Sequence, residues 1–142
     1  MAKWRAAAME WLPEMRETIA EVPNVMSLWI ELQGVFEDAY RAPQNDDLIR
    51  RLYAYADWCL AAERNDDAAR DPATAVMVAF YEHIPVRKAS RDDMPRWFRY
   101  AEVERSRSVF GYHLSEEQFE SLLIHMKQNQ SRYVPRQKPV SK

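Results

Sequence analysis

Glu82 and His83 are the residues that first suggest chemistry, because both side chains titrate and both end a long apolar run, ATAVMVAFYEHIP (73–85). On a helical wheel Glu82 falls on the apolar side of this segment. A carboxylate there either pairs with an arginine or has a raised pKa, and the second condition suits a general acid. We favour a structural ion pair to Arg87 or another arginine, and keep catalysis by Glu82 and His83 as the alternative.

Histidines and cysteines could hold a metal ion, but their spacing gives little support for a zinc site. The histidines are His83, His113 and His125, and no HExxH motif is present. The single cysteine, Cys59, falls on the apolar face of its helix, where a thiol packs as a small hydrophobic group. With only two glycines, a glycine-rich phosphate loop is absent. The sequence predicts no metal and no cofactor, and a zinc site only if the three histidines converge.

A basic and aromatic stretch, Arg87–Arg107, has the composition of a surface that binds single-stranded nucleic acid. Acidic residues are interleaved with the basic ones, and the whole-chain pI is about 5.9. These two facts favour a solvated, salt-bridged face and leave nucleic-acid binding as an alternative. The candidate binding residues in this stretch are Arg91, Arg96, Trp97 and Arg99.

Trp58 is a further candidate binding residue, because it lies at the margin of an apolar helical face whose centre is near Leu52 and Cys59. Its ring could cover Arg51 or another helix. A core-edge role is favoured and predicts that Trp58→Ala lowers stability by about 3–5 kcal/mol. The alternative is a partner-binding anchor, since tryptophan and arginine are common in binding hot spots, and the melting temperature would then hardly change.

The apolar run that carries Glu82 is predicted to be a buried central helix, Ala75–Ile84. Asp71 is a suitable N-cap, Pro72 suits the first helical position, and Pro85 stops the helix. A buried strand is the competing interpretation, but the Asp-Pro start favours a helix.

The remaining sequence predicts helices around this segment. Apolar residues recur every three or four positions, and Asn24, Asn45 and Ser115 are expected N-caps. Gly34 inside a helix predicts the close approach of a neighbour. The sequence therefore predicts one all-α domain, residues 1–130, of about five to seven helices around Ala75–Ile84, followed by a basic, disordered tail, 131–142.

Composition and charge bound the class of protein. The chain has 142 residues and one cysteine, with no signal peptide and no apolar segment of transmembrane length, so we expect a soluble cytoplasmic protein. Charge is uneven: residues 1–85 carry −7 and residues 86–142 carry +5. Such asymmetry can steer a charged partner.

Five strings are distinctive as a set: LWIEL with FEDAY (28–40), LIRRLYAYADWCL (48–60), TAVMVAFYEHIP (74–85), MPRWF (94–98) and GYHLSEEQFESLL (111–123). Over roughly residues 11–125 the chain resembles an uncharacterised family of small bacterial helical proteins, classed as a domain of unknown function. The resemblance implies a bacterial cytosolic protein with an all-helical fold, and it implies no catalytic residue.

The leading functional prediction is a non-catalytic protein-interaction module of an immunity or regulatory type, which binds one protein partner. An enzyme that uses Glu82 and His83 is the first alternative, and nucleic-acid binding through Arg87–Arg107 is the second. Neither the identity of the partner nor the oligomeric state follows from the sequence.

Overall fold

The structure, a computed structural model, describes residues 1–133, which are helical and contain no β-strand. The prediction of an all-α fold is confirmed. The chain forms two compact units: an N-terminal unit, Met1–Phe80, and a C-terminal unit that begins at Tyr81. The predicted domain of residues 1–130 spans both units. Residues 134–142 of the predicted tail lie outside the described residues.

The N-terminal unit contains two long helices that pack on each other and on a short third one. Asn24 and Asn45 cap the two long helices through their side-chain oxygens, as predicted. Pro13 separates the first two helices, because proline cannot continue a helix that precedes it. The helices of this unit are α1 (Lys3–Trp11), α2 (Arg16–Glu21), α3 (Val25–Ala39), α4 (Asp46–Ala61) and α5 (Pro72–Val76).

The core of the N-terminal unit is aromatic. Phe80 stacks on Trp29 with ring centroids 4.8 Å apart and meets Phe36 edge-on at 4.7 Å. Tyr55 stacks on the same Trp29 at 5.4 Å. All four side chains are buried. Large rings from α3, α4 and the segment after α5 therefore fix these elements relative to one another.

The C-terminal unit consists of short helices followed by one long helix. Ser115 and Gln118 form the predicted capping box at the start of the long helix, each side chain accepting from the other's backbone N–H. Tyr81, Phe98 and Phe110 pack as a triad of rings whose centroids lie 5.1–5.4 Å apart. The helices are α6 (Lys88–Asp92), α7 (Met94–Trp97), α8 (Tyr100–Arg105), α9 (Arg107–Phe110) and α10 (Glu116–Asn129).

The predicted central helix, Ala75–Ile84, is neither continuous nor buried on all sides. Helix α5 ends at Val76 and passes into a π-helical turn, Met77–Tyr81, and Ile84 begins a separate 3-10 turn. Val78 is 43% exposed. An apolar run does not require complete burial, since much of any protein surface is apolar. Residues 1–133 also divide into more and shorter helices than the five to seven predicted: a proline follows soon after α2 and α6, whereas α8 and α9 end without one.

Gly34 does not serve the close helix contact that the sequence suggested. A methyl group at Gly34 would meet no atom within 4 Å, and its backbone is ordinary helix. At Gly111 the same methyl group would lie 2.7 Å from the Arg107 carbonyl oxygen and 3.1 Å from the Phe119 ring. Gly34 therefore lowers the stability of its helix without a packing benefit, whereas the packing around Gly111 requires a glycine.

We predict opposite effects for alanine at these two positions. Gly34→Ala should stabilise the protein by about 1 kcal/mol, because alanine has the higher helix propensity. Gly111→Ala should destabilise it by about 1–3 kcal/mol through overpacking. Urea unfolding followed by circular dichroism measures both, and destabilisation by Gly34→Ala would show that a neighbour does occupy this side of α3.

Candidate functional site

Tyr55 positions two tryptophans that lie far apart in the sequence. Its ring stacks on Trp58, one turn further along α4, with centroids 6.1 Å apart and planes 13° from parallel. Its hydroxyl donates a hydrogen bond of 2.9 Å to the carbonyl oxygen of Trp4 in α1. Burial raises the pKa of Tyr55, which keeps the hydroxyl protonated as a donor. Tyr55 is itself buried and stacked on Trp29. Trp4 and Trp58 are therefore both in contact with a residue that the core holds in place.

Trp4 and Trp58 line one open cavity of about 450 Å³, which we call the Trp4–Trp58 groove. Both side chains are half-buried, so each has apolar surface at the groove. This volume lies within the range of pockets that hold small ligands or a few side chains of a partner. The polar part of the lining comes from Lys3, Glu63, Arg64, Asn65 and Arg70.

The loop wall of the groove is held by Asp71, whose side chain is only 1% exposed. Its carboxylate accepts hydrogen bonds from the backbone N–H groups of Asn65 (3.0 Å) and Thr74 (3.2 Å) and from Arg64 Nε (3.0 Å). Burial raises the pKa of Asp71, but the hydrogen bonds from Thr74, Asn65 and Arg64 outweigh it, so the pKa lies below its ordinary value. The predicted N-cap of α5 is confirmed, and it also orders the loop before α5.

The cations of the lining differ in how they are held. Arg64 turns its Nε and Nη2 atoms toward Asp71, while its side chain as a whole is 67% exposed. Arg70 pairs with Asp67 at the surface. Lys3 makes no ion pair within residues 1–133. Positively charged side chains therefore share the lining with the two indole rings, and Glu63 is the one carboxylate among the described residues that line the groove.

A second cluster, in the C-terminal unit, contains both residues that the sequence singled out for chemistry. Glu82 Oε1 lies 3.5 Å from His113 Nε2, and the rings of His83 and His113 lie 4.7 Å apart between centroids. The side chain of Glu82 is 14% exposed, that of His113 37%. Tyr112, largely exposed, meets His113 edge-on at 4.9 Å. The arrangement can hold or pass a proton between a carboxylate and an imidazole.

The structure brings together two of the three histidines. The third, His125, lies on α10 with its Nε2 atom 2.9 Å from the Asp92 carbonyl oxygen. In the described part of the chain, no group of three or more His, Cys, Asp or Glu side chains is arranged to hold a metal ion. Cys59 is buried, and burial raises the pKa of its thiol to about 12, so it is not a thiolate nucleophile at neutral pH.

The candidates in the basic stretch occupy different surroundings. Trp97 is buried and donates through Nε1 to Asp93 (3.0 Å), and Arg96 pairs with the same carboxylate (2.7 Å). Arg91 donates to the Pro85 carbonyl oxygen (3.3 Å). Arg99 is exposed. Trp97 is therefore part of the core of the C-terminal unit, whereas Arg99 lies at the surface.

Sequence reasoning identified Trp58 but missed the partners that make it part of a groove. Neither Trp4 nor Arg64 was singled out from the sequence. Arg51, which the sequence placed beside Trp58, binds Glu14 through both Nη atoms at 2.7 Å. The one sequence signal that could have pointed to the groove was Asp71-Pro72, because the carboxylate of an N-cap aspartate can also bind the loop that precedes its helix.

Comparison of the chain with protein-family models, with curated protein sequences and with solved structures finds no match in any of the three. The resemblance to a bacterial family of helical proteins therefore stays a prediction. Every helix within residues 1–133 is too short or too polar to cross a membrane.

We predict that Asp71→Asn destabilises the protein by about 2–3 kcal/mol at pH 7, since a buried amide cannot satisfy all the donors that face it. The folded pKa of Asp71 is lowered. Its contribution is therefore complete above the unfolded pKa of about 3.9 and is lost as pH falls through the folded pKa. The difference in unfolding free energy between the two proteins should shrink below about pH 4.

Asp67→Asn is the matched control, because Asp67 also caps a turn and binds an arginine but is exposed. It should cost about 1 kcal/mol or less. Urea unfolding at pH 3, 5 and 7 measures both variants. Equal losses for the two variants would contradict the special role of the buried carboxylate.

Proposed function

We propose that the protein is a non-catalytic interaction module that binds a segment of a partner protein in the Trp4–Trp58 groove. The observation that carries this proposal is that two half-buried tryptophans share one cavity with exposed cations. Tryptophan and arginine are the residues that most often dominate binding energy at protein interfaces. A regulatory or immunity-type role in the cytoplasm is the physiological form of this proposal.

Rigidity of the groove supports the proposal. The rings of Trp29, Tyr55 and Trp58 form a continuous stack, and the buried Asp71 orders the opposite wall. A site whose side chains are already fixed loses little conformational entropy when a partner binds. Affinity can then come from a small area, which suits a groove that accommodates a few residues of a partner.

The test is a peptide-display selection on the wild-type protein. Enriched peptides should bind Trp58→Ala and Trp4→Ala at least about 30-fold more weakly, the loss expected when an anchor worth about 2 kcal/mol is removed. Ile30→Ala is the matched control, because Ile30 is a large apolar side chain, 61% exposed, on α3 outside the groove lining. Circular dichroism verifies that each variant is folded.

Failure to enrich any peptide, or enrichment of peptides that bind wild type and Trp58→Ala equally, would contradict the proposal. Because Trp58 is only half-buried, we expect Trp58→Ala to lower the free energy of unfolding by less than the 3–5 kcal/mol of a fully buried tryptophan. The folded fraction at 25 °C should therefore permit the binding measurement.

A second candidate function is proton transfer by Glu82 and His113, supported by their 3.5 Å contact at a partly exposed position. A panel of p-nitrophenyl esters, phosphates and glycosides is the simplest search for it. Any hydrolysis should fall at least about 100-fold in Glu82→Gln without loss of the melting temperature. Nucleic-acid binding receives less support, because Lys88, Arg96 and Arg107 are each paired with a carboxylate.

A further inference from the structure

We infer that the segment bound in the Trp4–Trp58 groove presents one carboxylate beside an aromatic or large apolar side chain. This inference rests on the proposed function and adds the chemistry of the partner. It follows from which surfaces of the two indoles are available, from how Arg64 is held, and from the charge of the N-terminal unit.

The indole rings of Trp4 and Trp58 determine the kind of apolar group that the ligand must present. Tyr55 covers one face of Trp58, and the Arg5 guanidinium lies 4.5 Å from the centre of the Trp4 ring. Both tryptophans still line the groove, so part of each side chain is accessible from it. Flat aromatic surface of this kind binds a ring by offset stacking or a large aliphatic side chain by burial.

The prediction of a carboxylate on the bound segment follows from how Arg64 is held. Asp71 fixes the guanidinium through Nε and Nη2, so the Nη1 edge lies outside that pair, on a side chain that lines the groove. An arginine whose orientation is already fixed offers charge-assisted hydrogen bonds at a low entropic cost. Lys3 and Arg70 add positive charge to the same lining. Arg64 is paired with Asp71 and Arg70 with Asp67, so among the described lining residues a cationic ligand would find no counter-charge beyond the single carboxylate of Glu63.

The number of carboxylates is limited by the whole N-terminal unit. Met1–Phe80 contains eight Lys and Arg residues and 14 Asp and Glu residues, a balance of −6. At physiological salt the Debye length is about 8 Å, so the nearby cations decide the contact at the groove, and the weaker, partly screened field of the whole unit disfavours each further carboxylate on the segment. One carboxylate next to an apolar side chain satisfies both conditions.

The experiment titrates three small probes that share a phenyl ring: N-acetyl-L-phenylalanine, which is an acid, its neutral amide, and the cation phenethylamine. Binding is followed by NMR of the indole N–H signals, of which the chain has five. The acid should bind about tenfold more tightly than the neutral amide, and the amine most weakly. The Trp4 and Trp58 signals should shift most, and Trp58→Ala should abolish the shifts.

The double substitution Lys3→Gln and Arg70→Gln should reduce the preference for the acid over the amide at least about threefold. It leaves the Arg64–Asp71 pair intact, whereas Arg64→Met would leave the buried Asp71 carboxylate without its cation and destabilise the fold. Equal binding of acid and amide, tighter binding of the amine, or no shift at either groove tryptophan would overturn the inference. Displayed peptides that bind through Trp58 but lack a carboxylate would overturn it as well, while the proposed function would stand.

Discussion

The buried carboxylate of Asp71 is the interaction on which the groove depends. A charge that is 1% exposed is tolerated only if hydrogen bonds replace water, and Asp71 receives them from both sides of a chain reversal. Thr74 supplies donors from the first turn of α5, and Arg64 and Asn65 supply them from the loop. If the loop separated from the start of α5, the Asp71 carboxylate would lose the hydrogen bonds that replace water. The groove wall is therefore as stable as the helix cap.

The opposite wall is fixed by packing rather than by charge. Tyr55 combines two roles, because its ring supports Trp58 and its hydroxyl binds the backbone of α1 at Trp4. Rings stacked on a buried tryptophan have few alternative rotamers, so these side chains are ordered before any ligand arrives. The groove is therefore preorganised by a buried charge on its loop side and by stacked rings on its α4 side.

The cluster in the C-terminal unit depends on a different constraint. Gly111 lies so close to the Arg107 carbonyl oxygen and the Phe119 ring that a Cβ atom there would force its neighbours to shift, and the chain turns there between α9 and α10. This turn carries Tyr112 and His113 to the side of Glu82 and His83. The contact is made by polar side chains at the surface, supported by the ring triad of the same unit.

Local physics let the sequence determine the all-α class and the N-caps Asn24, Asn45, Asp71 and Ser115, because each depends on a few consecutive residues. The sequence was wrong about a close contact at Gly34 and about a continuous helix over Ala75–Ile84, because local periodicity does not report what surrounds a segment. It could not find the groove or the cluster. Tyr55 and Trp4 are 51 residues apart, and Glu82 and His113 are 31 residues apart. Only the packing of helices brings such residues together, since side-chain types and spacing along one helix carry no record of their partners on another.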